Sequence, residues 1–224
     1  MSLSTPSNPM PAVADFVILG AGVMGTSIAF QLAKRKAGRI VIIDKDHVGR
    51  GGSGRSSALI RMHYSFPPEV EMALVSLRMF QNWREIVGAP GDFRRTGFVR
   101  IVHPNEIARL KLNVEMQRKL GTRVELIDRR QLQEIEPDWK VDDVELAAYE
   151  PDSGYGDGAG VAGDFLSAAR EMGTAYFSRT QSELACDGEW PSRRRHHRSG
   201  DDFIPQGDCG YGPVDAAAAA ASRI

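Results

Sequence analysis

Six consecutive residues, Gly20-Ala21-Gly22-Val23-Met24-Gly25, dictate more of the fold than any other stretch of this 224-residue chain. They form a G-x-G-x-x-G pattern, which carries weight only in the right surroundings. Just before it, residues 15–19 read DFVIL, a short apolar run rich in β-formers that predicts a buried strand. Just after it, Met24, Ile28 and Leu32 fall at helical spacing, and Gly38 closes the helix. Residues 39–44, RIVIID, predict a second buried strand ending on Asp44. Parallel strands need a crossover of about this length, so the segment predicts a β-α-β unit. Each glycine then has its own use. Gly20 permits the tight turn, Gly22 leaves the backbone open to a pyrophosphate, and Gly25 lets helix and strand approach. The helix N-terminus offers unpaired N–H groups to a diphosphate. Asp44, 24 positions after Gly20, is placed to accept hydrogen bonds from ribose hydroxyls and to repel an extra 2′-phosphate. The pattern predicts a dinucleotide without saying which. A strand–helix turn with no ligand is the alternative.

The choice of dinucleotide turns on the loop after the acid. Residues 49–57 are rich in glycine and serine, with Gly49, Gly51, Gly52, Ser53, Gly54, Ser56 and Ser57 around Arg55. Nothing in an NAD site requires such a loop. A flavin site needs a second loop at the far end of the pyrophosphate and the ribityl chain, where small hydroxyl residues, backbone N–H groups and one arginine suit the contact. A flexible surface loop is the alternative. An NAD-dependent dehydrogenase is the reading this loop disfavours.

Beyond the loop the chain alternates helix and strand signals. Val70, Leu74, Leu77, Phe80 and Ile86 trace one face of a helix over 67–87, a strand is predicted over 96–102, and Ile107, Leu110 and Val114 mark an amphipathic helix over 105–120. A strand over 123–127, a short helix capped by Asp128 and stopped by Pro137, and a strand over 144–149 come next. Residues 151–160 read as loop, 161–172 as helix and 175–178 as strand. With 28 Lys and Arg against 29 Asp and Glu, the net charge of −1 argues against a nucleic-acid surface or a polybasic membrane contact. No apolar run reaches 18 residues, so no membrane span is expected. The opening 14 residues lack the basic and apolar regions of a signal peptide and read as a disordered leader, which makes a cytoplasmic location the default. The two cysteines, Cys186 and Cys209, have no metal-like neighbours, and no metal site is expected.

At the level of whole motifs the chain resembles a known family. DFVILGAGVMGTSIAFQLAKR, followed by VIIDKDHVGRGGSGRSSALIR, is similar to the N-terminal part of FAD-dependent oxidoreductases of the D-amino-acid oxidase type, in the branch of the sarcosine oxidase β-subunit, dimethylglycine dehydrogenase and glycine oxidase. Arg95-Thr96-Gly97-Phe98-Val99-Arg100-Ile101 resembles the strand that opens the substrate domain, and Glu150-Pro151-Asp152-Ser153-Gly154-Tyr155 with 161–170 the return to the flavin domain. The likeness covers residues 15 to 178 or so and implies an α/β fold: a Rossmann-like FAD-binding β-α-β domain with the start of an α+β substrate domain, truncated. The implied organisation is a leader at 1–14, FAD-binding domain at 15–92, partial substrate domain at 93–150, return to the FAD-binding domain at 151–182 and a low-complexity tail at 183–224.

The resemblance also implies chemistry. It points to oxidation of a small secondary or tertiary amine, or an amino acid, at its C–N bond, with hydride passing to FAD. Gly20, Gly22, Val23, Met24 and Gly25 match the pyrophosphate loop, Asp44 and Lys45 the adenosine ribose, and Gly52, Ser53, Ser57, Ala58 and Leu59 the second flavin loop. Some relatives attach flavin to a histidine there; this chain has Arg55-Ser56-Ser57, so non-covalent FAD is expected. Arg61, His63 and Tyr64 lie just past the loop. Arg61 suits a bidentate grip on a substrate carboxylate, and His63 suits taking or relaying a proton; solvated or structural roles are the alternatives. The other functional reading is a catalytically inactive fragment, or an FAD-binding subunit that needs a partner subunit or an electron carrier.

Composition breaks near residue 186. The 38 residues from Asp187 to Ile224 hold only Phe203, Ile204, Val214 and Ile224 among the large aliphatic residues and phenylalanine, too little to offset the entropy of ordering. Where the family expects a stretch such as Ala-Thr-Gly-Pro-Trp, the chain has Cys209-Gly210-Tyr211-Gly212-Pro213-Val214-Asp215. Codons for that stretch, read one nucleotide later, can encode Ala-Ala-Thr-Gly-Pro-Trp, so an out-of-frame tail beginning between Thr180 and Trp190 is one expectation and a genuine disordered tail the other. The run Arg193-Arg194-Arg195-His196-His197-Arg198 invites a nucleic-acid or metal reading, but one short run beside six acids reads as incidental.

Overall fold

A computed structural model describes residue 11 and residues 13–179. Most of the expected leader, the tail, both cysteines and the expected frame change lie outside the described residues. Contacts within the chain define two compact units, the first holding 13–56 and 158–179, the second 57–157. The family-based limits at 92/93 and 150/151 concern which domain each segment would join, and they stand as a proposal.

The first unit is built on a three-stranded parallel sheet, β1 (Phe16–Leu19), β2 (Ile40–Ile43) and β9 (Ala175–Phe177), in the order β1-β2-β9. Phe16 pairs with Ile40, and Val41 with Ala175. All four residues of β2 are buried, as an unbroken apolar run predicts for the middle of a parallel sheet. Val41 and Ile43 pack with Ala14, Val17, Ala175 and Phe177. Ala14, read from sequence as leader, thus belongs to the core.

The two long helices of the unit, α1 (Val23–Lys34) and α7 (Gly158–Glu171), pack on one another through small residues and a pair of rings. Ala29, Phe30 and Ala33 of α1 and Ala162, Phe165 and Ala169 of α7 are buried, with the Phe30 and Phe165 ring centroids 5.3 Å apart. Residues 50–57, expected as loop, contain one short helix, α2 (Gly52–Arg55). Glycine and serine are poor helix formers, and tertiary packing overrides them: α2 lies on α7, and Gly54 N–H donates to Gly49 O at 2.8 Å.

The second unit carries an antiparallel sheet of β5 (Phe98–Ile101), β7 (Leu146–Glu150) and β6 (Glu125–Asp128), in the order β5-β7-β6. Helix α5 (Ile107–Lys119) covers one face, where Leu110 and Val114 meet Val124 and Ala148. Helix α6 (Arg129–Ile135) covers the other, where Leu132 meets Ile127, Val141, Val144 and Ala147. The expected cap is present in full: the Asp128 carboxylate accepts the Gln131 N–H at 2.8 Å, and the Gln131 side chain accepts the Asp128 N–H at 3.0 Å.

A second antiparallel ladder joins three two-residue strands, β3 (Leu59–Ile60), β8 (Gly154–Tyr155) and β4 (Arg94–Arg95). Strand β8 lies inside the stretch expected as loop, because two residues leave no periodic signature in sequence. The expected helix over 67–87 is two, α3 (Pro67–Gln81) and α4 (Trp83–Val87). The break is at Asn82, whose side chain donates to Arg78 O at 2.8 Å and competes with the helical backbone. The expected strand over 96–102 forms as β5, and β4 lies just ahead of it, separated by Thr96 and by Gly97 at φ +83°. Among the described residues no helix is long and apolar enough to cross a membrane.

Candidate functional site

In the first unit the sequence pattern becomes a turn. Strand β1 ends at Leu19, and Gly20 takes φ +103°, a conformation few residues but glycine adopt, while its N–H donates to Ile43 O at 2.8 Å. Helix α1 opens at Val23 with Gly22 as N-cap. Gly25 is buried, and a Cβ there would run into the carbonyl oxygen of Gly20. The close approach that the third glycine permits is therefore present.

Two side chains close on this turn from elsewhere in the unit. The Asp44 carboxylate accepts the Ala21 N–H at 2.5 Å through Oδ2 and the Asp46 N–H at 2.7 Å through Oδ1. Its own N–H donates to Phe177 O at 2.9 Å. The carboxyl ends of β1, β2 and β9 thus converge on one acid, at the edge of a parallel sheet where ligands of such folds bind. From α2, the Ser53 hydroxyl accepts the Val23 N–H at 2.9 Å, and a Cβ on Gly22 would lie 3.1 Å from that oxygen. Met24 and Lys45 are exposed beside the turn.

The residues fit a dinucleotide. The first turn of α1 has N–H groups without intrahelical partners, at the positive end of a twelve-residue helix dipole. Gly22 puts no side chain in the way. A carboxylate has about four acceptor sites, of which Asp44 spends one on each of two backbone donors. Gly20, Gly22, Val23, Met24, Gly25, Asp44, Lys45, Gly52 and Ser53 all lie in this unit; Ser57, Ala58 and Leu59 belong to the second unit. There Leu59 begins β3, Ala58 takes φ +48°, and its carbonyl accepts the Gly156 N–H at 3.1 Å.

The second unit gathers Arg61, His63 and Tyr64 on the segment that follows β3. The Arg61 guanidinium lies 4.6 Å from the centre of the Tyr64 ring and 5.7 Å from that of Phe98, and it donates to the His63 carbonyl. A cavity of about 460 Å³ opens beside them, between β5 and α5. Its walls include Arg61, His63, Phe98, Arg100, Arg109 and Asn113. Arginine dominates the charge of this lining, with Glu106 the one acid among the wall residues.

Behind His63 stands a residue that the sequence places in a motif without assigning it a role. Glu150 ends β7 directly opposite Phe98, and its side chain is wholly buried. Oε2 accepts the Met62 N–H at 3.0 Å and the Ser153 hydroxyl at 2.7 Å. Oε1 has no hydrogen-bond partner, and 3.7 Å away the His63 Nδ1 has none either. On the other side of the ring, Nε2 lies 3.3 Å from Asn113 Nδ2. Burial pushes the Glu150 carboxyl above its ordinary value. Burial also lowers His63 to about 4, with Arg100 and Arg61 adding to the effect. The separation is within ion-pair reach, but a desolvated imidazole flanked by two arginines stays neutral at neutral pH. The signal for Glu150 is in the alternation: it shares a sheet face with Leu146 and Ala148, an acid where the pattern calls for an apolar residue.

A parallel βαβ unit whose glycine turn, acid and serine meet at the strand ends is the architecture of dinucleotide-binding proteins. The chain matches the family described as FAD dependent oxidoreductase over residues 15–202, and it belongs to that family. The match runs past Ser178, where the legible motifs stop. The chain is 36% identical over 151 residues to FAD-dependent oxidoreductase domain-containing protein 1 of Mus musculus, covering 62% of this chain and 31% of that protein. It is 26% identical over 175 residues to sarcosine oxidase subunit beta of Arthrobacter sp, covering 75% and 43%. The crystal structure of L-proline dehydrogenase from P. horikoshii superposes with a TM-score of 0.71 at 27% identity, covering 76% of this chain and 45% of that one. The chain thus spans between 31% and 45% of the length of these relatives.

Proposed function

We propose that this chain forms the FAD-binding portion of an oxidoreductase that oxidises the C–N bond of a small secondary or tertiary amine, or of an amino acid. The observation that carries the reading is the meeting of Gly20–Gly25, Asp44 and Ser53 at the ends of three parallel strands. The Gly20–Gly25 turn and the first N–H groups of α1 would hold the pyrophosphate, Asp44 and Lys45 the adenosine ribose, and Gly52, Ser53, Ser57, Ala58 and Leu59 the remainder. With no histidine at 55–57, the attachment is non-covalent. When bound, FAD supplies a hydride acceptor at N5. The protein's own part is to bind, orient and desolvate the amine: Arg61 grips a carboxylate and His63 handles a proton. Relatives that act on glycine, sarcosine and proline by their names support this class of substrate.

A second reading is a subunit that binds FAD and acts only with another chain. The coverage of relatives favours it, since one is itself a subunit and the chain spans 43% of it. The visible spectrum of the full chain, purified with FAD, separates the two. Flavin bands bleached anaerobically by sarcosine, dimethylglycine or glycine support an autonomous enzyme. Flavin bands that none of these bleach support the subunit reading, and a colourless protein removes the first. A cytoplasmic location and the electron acceptor belong to the same proposal.

A further inference from the structure

The Glu150–His63 pair has an unusual hydrogen-bond account. Glu150 Oε2 is committed as an acceptor twice, to Met62 N–H and to the Ser153 hydroxyl. Any proton on the carboxyl therefore sits on Oε1, and Oε1 faces His63 Nδ1 with neither atom otherwise partnered. Between these two atoms there is room for one proton, on one side or the other. A buried pair with no proton between them would leave two acceptors facing each other, at a cost that burial raises.

A second polar group faces the far side of the ring. The Asn113 amide lies 3.3 Å from Nε2; with its NH2 group turned to Nε2, that nitrogen accepts and the hydrogen of the ring is on Nδ1, pointing at Glu150. Transfer to Oε1 would move the hydrogen of the ring to Nε2, and the Asn113 amide would turn to offer its oxygen. Asn113 and His63 both line the cavity, so the end of this chain of groups is open to a ligand. The charges facing the imidazole are Arg61 on its own segment, Arg100 on β5 and Glu150 on β7, with Arg109 and Glu106 across the cavity.

We propose that Glu150, His63 and Asn113 form a proton relay from the cavity to a buried carboxylate, and that its ligand is an amino carboxylate whose cationic nitrogen gives up a proton to it. The arginines of the cavity hold the carboxylate of this ligand. The ammonium N–H bond breaks and an N–H bond forms at His63 Nε2; the Nδ1–H bond breaks and an O–H bond forms at Glu150 Oε1. The nitrogen keeps its electron pair and becomes a neutral amine, and the buried carboxylate becomes a neutral acid. The direction suits the surroundings, because burial raises the proton affinity of Glu150 and opposes a charge on His63. Glu150 acts through His63 and is a positioning residue. The choice of an amine ligand rests on the proposed oxidation; the relay itself does not.

Two probes that differ in one proton test it on the full chain without added FAD. Dimethylglycine carries an ammonium proton, and trimethylglycine has the same carboxylate and a quaternary nitrogen with none. Infrared difference spectra on binding should show the carbonyl stretch of a protonated carboxylic acid with dimethylglycine and not with trimethylglycine. The band should be lost in Glu150→Gln and in His63→Gln, the latter leaving Glu150 and its bonds to Met62 and Ser153 in place, and kept in Glu150→Asp. Nitrogen shifts of the His63 ring should move from the Nδ1–H to the Nε2–H form in the same titration. The same band with both probes, no band with either, or no binding of either would overturn the relay. A band with dimethylglycine but no bleaching of the FAD-loaded chain would leave the relay standing and remove the oxidation.

Discussion

The two units assemble their polar groups in opposite ways. In the first, the groups at the site are mostly backbone: N–H donors at the start of α1, a turn at Gly20, and a glycine where a side chain would intrude. In the second, the groups are side chains, three arginines, a histidine, an asparagine and a buried acid, brought together from β5, α5, β7 and the segment after β3. A diphosphate can be held by geometry alone, because its charge is spread and backbone dipoles match it. A small zwitterion needs charges of defined sign at defined points. The first solution tolerates almost no added atoms. The second tolerates atoms and not the loss of a partner.

That contrast can be broken by substitution, and the largest effect belongs to the backbone side. Gly25→Val should destabilise the chain by about 3 kcal/mol, since its first added carbon meets the Gly20 carbonyl. Urea unfolding measures it; a variant of unchanged stability would show that the turn does not need the close approach. The next effect is a pH dependence in the second unit. The folded value of His63 is depressed from 6.5 to about 4, so its contribution to stability is complete above pH 6.5 and disappears as the pH falls toward 4. A shift of that size corresponds to about 3 kcal/mol at most. Glu150 has the opposite sign: its value is raised, so its contribution is complete below 4.5 and declines as the pH climbs through the raised value. In Glu150→Gln, where the opposing carboxyl is gone, amide exchange in residues 57–157 should slow between pH 4 and 6.5 once corrected for intrinsic rates, and adding His63→Gln should flatten that limb.

Smaller effects separate the two kinds of site further. Glu150→Ala strands the Met62 N–H and the Ser153 hydroxyl and should cost about 2 kcal/mol in urea unfolding, with Glu150→Gln costing less. Equal costs for the two variants would mean that hydrogen bonding is not what holds the acid there. Ser53→Ala removes the hydroxyl that accepts the Val23 N–H at the start of α1 and should cost about 1 kcal/mol. A thermal melt checks it, and no loss would leave Ser53 a ligand group without a structural duty.

The same contrast explains what could be read from sequence. Gly20, Gly22, Gly25 and Asp44 are legible because backbone recognition forces residue types into a fixed spacing, and the strands and helix around them carry strong periodic signals. Strand β2, four apolar residues in a row, is a good example. The helix over 52–55 is not legible, because its stability comes from packing on α7 and from no propensity of its own. Neither is the break at Asn82, which depends on a side chain choosing a helical carbonyl. Arg61 and His63 can be nominated from their place after the loop. Their partners Glu150 and Asn113 lie 87 and 50 positions from His63 and meet it only through the pairing of β5 with β7 and the crossing of α5. No local pattern records such a meeting.

The central claim is that the first unit holds FAD through its glycine turn and Asp44, and a fluorescence titration of flavin with the full chain tests it most directly. FAD should bind one to one with its fluorescence changed on binding, and FMN, which lacks the adenosine and the second phosphate, should bind at least tenfold more weakly. Asp44→Ala should weaken FAD by about tenfold, the equivalent of one or two hydrogen bonds at roughly 1.4 kcal/mol, and leave FMN unchanged. Equal affinity for FAD and FMN, or an Asp44→Ala variant that binds FAD as well as the parent chain, would contradict the account.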